Sequence, residues 1–344
     1  MGKELGVAIW GAGGVTTEHL RGWIGNPHCR VVAMGSRRAE QVRERLSEAG
    51  IQEDVEVYTS LDKILERQDV DAISICLPSH LQAEAAIKSA AAGKHLFIEK
   101  PMAKTLEELR QVRDAVRKAK VKTVVGFVLR WNPLIQIAKN LVADGALGKI
   151  IYGRFGYLHE VGPSYSAYEW MRKLETGGTV TLLGGCHAID TMRYLMGQEV
   201  AEVTAFSTRG HRTDFEYEPT LAGLIRFEDG ALAHLTASQE IHMPYVFPVE
   251  LMGSLGALRD GKLWSEKLKG QTDWVSIPTV LPDSGQVAHH PFKDEIDHLV
   301  DCILNDQESH VSVEDAVKTH EVVFALDSSA EKGGAPVRLP LLDP

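Results

Sequence analysis

The run LGVAIWGAGGVT at residues 5–16 decides how the rest of the chain is read. Leu5, Val7 and Ile9 open a short strand that ends on glycines, and Thr16, Leu20, Trp23 and Ile24 then recur at helical spacing. A strand that turns through Gly-x-Gly straight into a helix leaves the first helical amides unpaired and facing outward, where an anion is favoured.

The same strand–helix unit repeats on the C-terminal side. Residues 30–34 and 55–58 read as the second and third strands, and Thr59 with Asp62 resembles a capping box for a helix over 61–67. Residues 72–77 form a continuous apolar run, as a strand buried on both faces should. An Ala-rich helix over 81–92 stops at Gly93, and 95–99 is the next strand. Thr105 and Glu108 make a second capping-box pattern before a helix to about 118, and 123–127 closes the series. Alternation of this density predicts an α/β unit, a parallel sheet doubly wound by helices in the Rossmann manner, over residues 1–124.

Beyond residue 125 the texture changes. Residues 150–157, 203–207, 221–227, 232–238 and 249–252 are longer alternating segments, and Asp229-Gly230 and Asp260-Gly261 are hairpin signals. Residues 125–344 therefore read as an α+β domain with a large, mostly antiparallel sheet. Helices over 292–304 and 313–328 end the fold, and whether they pack on this domain or back on the first stays open. One face of that sheet needs a cover, and a second copy is the cheapest one, so a homodimer or homotetramer is expected.

The bulk numbers restrict the function classes. At 344 residues the chain suits two domains, and 44% apolar with 24% charged residues is ordinary globular composition. A formal net charge of −10 argues against nucleic acid or anionic lipid as a partner. No apolar run is long enough to span a membrane, and the first ten residues already read as a strand rather than a leader, so a cytoplasmic protein is expected. Cys29, Cys76, Cys186 and Cys302 lie far apart without metal-ligand or disulfide spacing; buried thiols and no metal are the expectation.

In its strand–turn–helix context, Gly11-Ala12-Gly13-Gly14-Val15-Thr16 fits a dinucleotide fingerprint of the form G-x-G-x-x-T. Gly11 allows the tight turn, and Gly13 lets backbone approach a pyrophosphate. At the end of the second strand an acidic residue would bond the ribose 2′-OH. This chain has Gly35-Ser36-Arg37-Arg38 instead, a hydroxyl and two guanidiniums suited to a 2′-phosphate, so NADP(H) is favoured over NAD(H). The alternative, in which the arginines solvate a helix start and Arg37 stacks on adenine, stays open.

With HLFIEKP at 95–101, LPSHLQAE at 77–84 and GGTVTLLGGCHAID at 177–190, nearly the whole chain resembles the glucose–fructose oxidoreductase/inositol dehydrogenase (Gfo/Idh/MocA) family. The resemblance implies an NAD(P)-dependent oxidoreductase acting on sugars, inositols and related polyols. It places Gly11, Gly13, Gly14, Val15, Ser36 and Arg37 on the adenine half of the cofactor, and Leu77, Pro78 and His80 along its ribose or nicotinamide half. Glu99 and Lys100 would approach the nicotinamide, Arg130 would line the nearby wall, and the Lys100–Pro101 peptide would be cis. His187 matches the family's catalytic histidine. One position departs: the usual Asp-x-x-x-His reads Leu183-x-x-x-His187 here, and Gln82 stands where many members have histidine.

Oxidation of a carbinol needs a hydride acceptor and a base. His187 is the expected base, and Lys100 would hydrogen-bond the same oxygen and stabilise the developing alkoxide. Asp190 would either orient His187 or form a helix-surface ion pair with Arg193, three residues on. Tyr157, Trp170, Arg172 and His290 are further candidates for a sugar pocket, with Glu240 and His242 behind them. Two rival readings remain: a redox-neutral enzyme that retains its NAD and oxidises a sugar transiently, and a non-catalytic sensor of the cofactor.

Overall fold

The computed structural model describes residues 4–51 and 55–343. Its contacts divide the chain into two compact units, 1–128 with 287–317, and 129–286 with 318–344.

In the first unit β1 (Leu5–Trp10) runs through the glycine turn into α1 (Thr16–Ile24). β2 (Cys29–Gly35), α2 (Ala39–Glu48), β3 (Glu56–Tyr58), α3 (Leu61–Leu65), β4 (Ala72–Ile75) and α4 (Ser79–Ala91) follow. β5 (His95–Ile98), α5 (Leu106–Ala119) and β6 (Thr123–Val125) complete the series. The six strands pair in parallel in the order β3-β2-β1-β4-β5-β6. The chain reverses direction across the sheet beside β1, the switch point outside which α/β sheets bind ligands. Val7, Ile9, Ile73, Ile75, Leu96 and Ile98 have no exposed surface, which is why their runs read as continuous rather than alternating.

Thr105 caps α5 as expected, accepting from the Glu108 amide at 3.1 Å, while the Glu108 carboxylate reaches back to the Lys104 amide at 2.8 Å. The other expected box does not form. Ser60 stands at the N-cap of α3 with no side-chain bond, and the helix is a short one ending at Leu65.

The second unit begins with α6 (Pro133–Ala143), which the periodicity reading passed over although its start is legible. Asn132 caps the Leu134 amide at 3.0 Å and Pro133 occupies the first turn. β7 (Ile150–Leu158), α7 (Tyr168–Met171), α8 (Cys186–Met196), β8 (Val200–Thr208), β9 (Thr220–Phe227), β10 (Leu232–Ser238) and β11 (Val249–Gly253) come next. Short strands β12 (Gly256–Arg259), β13 (Lys262–Ser265) and β14 (Val275–Ser276) extend the sheet at one edge. Asp260 and Gly261, both with positive φ, make the tight turn between β12 and β13. After α9 (Phe292–Leu304), which belongs to the first unit, and α10 (Val313–Glu331), β15 (Val337–Arg338) closes the other edge.

The nine strands run in the order β14-β13-β12-β11-β7-β10-β9-β8-β15, antiparallel except for β7 with β10. Along β9 burial alternates residue by residue. One face is the core, carrying Phe155, Ile225, Leu235, Val249 and Leu251. The opposite face exposes Phe206, Leu224, Leu232, Met252 and Trp264. All four cysteines are buried free thiols. Among the described residues no helix is long and apolar enough to cross a membrane.

Candidate active site

The glycine turn is shaped by close backbone approach. Gly11 has φ 128°, and a Cβ there would lie 2.0 Å from the Cys76 carbonyl oxygen at the end of β4. No side chain caps α1 at Val15, and Gly13 and Gly14 are exposed at its mouth, with only the Cys76 oxygen, at 3.9 Å, near the space a Gly13 side chain would fill. An uncapped helix start fronted by bare backbone fits a pyrophosphate, because the amides supply both hydrogen bonds and positive dipole.

At the end of β2 the Ser36 hydroxyl is nearly buried. It accepts from the Arg38 amide at 3.1 Å and donates to the Arg38 carbonyl at 2.8 Å, while Arg37 and Arg38 project into solvent. Leu77 and Pro78 are half-buried where β4 gives way to α4, and His80 is exposed. Gln82 is fully buried and donates to the Leu77 carbonyl at 3.1 Å, so it closes this turn from beneath. Glu99 and Lys100 directly follow β5, and the Lys100–Pro101 peptide is cis. The fold thus brings eleven expected cofactor residues of this unit, Gly11 through Lys100, to the carboxyl ends of β1, β2, β4 and β5. His290 also belongs to this unit, half-buried and stacked on Phe292 at 6.1 Å.

The second unit holds the remaining candidates. His187 lies on the first turn of α8, almost fully buried. The five residues before the helix, Thr181–Gly185, form a π-helical turn, a feature common at functional sites. Leu183 is inside it and buried, so the turn preceding the imidazole offers a hydrocarbon where the family has a carboxylate. Asp190 is buried on the inward side of α8. Its carboxylate takes two bonds from Arg130, at 2.6 and 2.8 Å, with both side chains 2% exposed, and a third from Thr319 at 3.1 Å. Arg193 pairs with Glu199 and donates to Thr319 Oγ1 at 2.7 Å. α8 turns Asp190 inward, where the Arg130 guanidinium offsets its desolvation, and breaking such a pair costs about 3–5 kcal/mol. Arg130, expected on the cofactor wall, is held by Asp190 and lies over the Tyr194 ring at 5.0 Å.

Tyr157 packs its ring against the π-turn, so that a Cβ on Gly184 would sit 2.2 Å from it. Its hydroxyl meets His159 Nδ1 at 3.2 Å, and Tyr245 stands edge-on to both rings, at 5.4 and 5.1 Å. Burial pushes the Tyr157 phenol well up and the His159 imidazole down, the latter against an opposing pull from Glu160, so both groups are neutral donors and acceptors near pH 7. His159 and Tyr245 were not legible as site residues; only the fold brings the end of β7 beside residue 245. Trp170 and Arg172 are half-buried at α7, and Arg172 bonds Glu169 and the Asp214 carbonyl. Glu240 is committed elsewhere. Burial raises its pKa, but bonds from the Gly210, His211 and Arg212 amides and Thr220 outweigh that and lower it.

Asp327 on α10 is a third residue that the sequence hid. It accepts from Thr179 Oγ1 at 2.7 Å and from Thr181 Oγ1, clamping the chain where the π-turn begins. Desolvation by burial raises its pKa from 3.8 to about 6, against the two threonine bonds. The folded state therefore holds this proton more tightly than the unfolded chain does. Stability from it is full below pH 3.8 and is lost as pH rises through about 6. The difference corresponds to roughly 3 kcal/mol as an upper bound. Asp327→Asn is expected to flatten the fall in Tm between pH 4 and 7 by several degrees, which calorimetry across that range measures.

Comparison with known proteins assigns both units to one family. The profile of an oxidoreductase family with an NAD-binding Rossmann fold, Gfo/Idh/MocA, matches residues 5–127, and that of the Gfo/Idh/MocA C-terminal domain matches 135–259. The scyllo-inositol 2-dehydrogenase (NAD(+)) of Bacillus subtilis is 27% identical, over 98% of this chain and 97% of its own. The 2,7-anhydro-N-acetylneuraminate hydratase of Mediterraneibacter gnavus is 28% identical, over 75% and 67%. The fold is that of a levoglucosan dehydrogenase solved with NADH and levoglucosan, with TM-score 0.84 at 22% identity, over 98% of this chain and 99% of that one. The chain belongs to the Gfo/Idh/MocA family of nicotinamide-dependent oxidoreductases.

Proposed function

We propose that this protein transfers a hydride between NADP(H) and a hydroxyl or ketone carbon of a sugar, polyol or glycoside, with Lys100 and His187 as its catalytic residues. The observation that carries the reading is the pairing of a bare helix start at Gly11–Val15 with an intact Glu99-Lys100-Pro101 turn at the same sheet edge. Nicotinamide, when bound, supplies the hydride chemistry; the protein supplies position and charge. Lys100 Nζ donates to the substrate oxygen and stabilises negative charge as it develops. His187 takes the hydroxyl proton in oxidation and returns it in reduction. Tyr157, His159 and Tyr245 give the sugar ring an aromatic wall with neutral hydrogen-bonding groups at its edge, in keeping with the polyol and anhydrosugar substrates named for the relatives. Incubation with a sugar and polyol panel, followed by cofactor absorbance, tests the reading. Net reduction of NADP⁺ by at least one carbinol supports it, and no cofactor change with any of them sinks it.

The 2′-phosphate preference rests on Ser36 and the two exposed arginines after it. An aspartate at position 36 can keep the bond to the Arg38 amide while placing a negative charge beside the ribose. Ser36→Asp is expected to weaken NADP(H) binding about 10- to 100-fold and to favour NAD(H). Fluorescence titration with both cofactors measures this, and tighter NAD(H) binding by the wild type would refute the assignment.

The exposed face of the nine-stranded sheet is read as the contact between copies of this chain. Phe206, Leu224, Leu232, Met252 and Trp264 line it on five strands, among charges such as Arg226, Glu202 and Arg154 that can pair in register. Leu224→Asp, at its centre, is expected to shift the mass in sedimentation toward the monomer; a monomeric wild type would overturn the proposal.

A second reading draws on Leu183 and on the hydratase among the relatives. A redox-neutral cycle would consume sugar with no net change in cofactor, an outcome the same absorbance assay separates from dehydrogenation.

A further inference from the structure

His19, fully buried one turn into α1, is a polar residue that the chemistry above does not use. Its Nε2 lies 2.9 Å from Glu99 Oε1 and its Nδ1 lies 3.2 Å from Ser74 Oγ, with the ring edge-on to Phe97 at 4.6 Å. Ser74 Oγ already accepts from the Trp23 indole, a donor only, at 2.7 Å. The Glu99 carboxylate can only accept, so Nε2 of a neutral ring carries the hydrogen and Nδ1 is left to accept the Ser74 hydroxyl proton. The second Glu99 oxygen accepts the Lys100 amide at 3.2 Å. Gly126 closes the other side, since a Cβ there would stand 3.2 Å from the carboxylate.

Trp23, Ser74, His19 and Glu99 are all at most 5% exposed, so this chain of hydrogen bonds is shielded from water from end to end. A buried polar network of this kind adds little net stability over apolar residues of the same shape, but it does fix geometry. We propose that His19 is a positioning residue that, through Glu99, locks the backbone at Lys100 and thereby aims its side chain. The inference rests on the catalytic reading of Lys100.

The test compares His19→Leu, which removes the donor, with His19→Gln, whose amide nitrogen can reach the place of Nε2. In His19→Leu, exchange of the Lys100 amide with solvent deuterium should rise about tenfold or more in the cofactor-free protein. Its kcat should fall roughly 30- to 100-fold, while KM and cofactor affinity change less than about threefold, because an ångström of misplacement acts on the reacting geometry rather than on binding. His19→Gln should recover most of both. Should His19→Leu fail to fold, Ser74→Ala carries the test, since loss of the hydroxyl that holds Nδ1 should also speed exchange at Lys100. Unchanged exchange and turnover in the folded variants overturn the proposal. Equal loss of kcat and cofactor binding, or a glutamine no better than leucine, does so too. Lys100→Ala measured alongside separates the two readings: normal turnover in it removes Lys100 from the chemistry, whereas the exchange result still reports whether His19 fixes the turn.

Discussion

Lys100→Ala is expected to lose about 10²–10³-fold in kcat while binding NADP(H) within a few-fold of the wild type. The asymmetry follows from where its charge acts. A donor aimed at an oxygen that becomes negative only during reaction contributes mostly to the transition state, and removal of one such donor costs on that scale. The backbone at position 100 is held from within, by Glu99 beneath its amide, so truncating the side chain leaves the turn and the glycine loop in place. Steady-state kinetics with separate cofactor titrations reads both quantities. Wild-type turnover in this variant would remove Lys100 from the mechanism.

His187→Ala is expected to cost about 10²–10⁴-fold in oxidation rate and to abolish the acidic limb of the kcat/KM profile. An imidazole accepts the carbinol proton only while neutral, so oxidation should fall on the acid side as the ring protonates. No carboxylate precedes it on the helix to favour the charged form, because Leu183 holds that place. Leu183→Asp should accordingly move the limb upward, provided the new carboxylate is solvated at a site that is 3% exposed. A persistent acidic limb in His187→Ala would move the base to another group.

Much of the first unit was legible because its strands are buried on both faces and its punctuation is local. Gly11, Gly93 and Thr105 each mark a boundary through a backbone or capping property that needs no tertiary knowledge. The capping box at Thr59 and Asp62 failed because the same letters occur in a turn where Ser60 takes the cap position instead. Long-range partners were the harder part. Nothing near Asp190 in sequence reveals Arg130, sixty residues away. His19, Asp327 and Tyr245 acquire meaning only from residues far along the chain: Ser74 and Glu99, Thr179 and Thr181, Tyr157 and His159. The π-turn before His187 is likewise invisible to a reading at 3.6 residues per turn.

The central claim is that a hydride passes between substrate carbon and nicotinamide with a net change in both. Its most direct test uses a carbinol identified in the substrate panel, deuterated at the carbon that bears the hydroxyl, and follows the label by mass spectrometry. The account predicts one deuterium in each reduced nicotinamide released, in step with the ketone formed. Substrate consumed with the label washed into water, or returned to the sugar without free reduced cofactor, would contradict it.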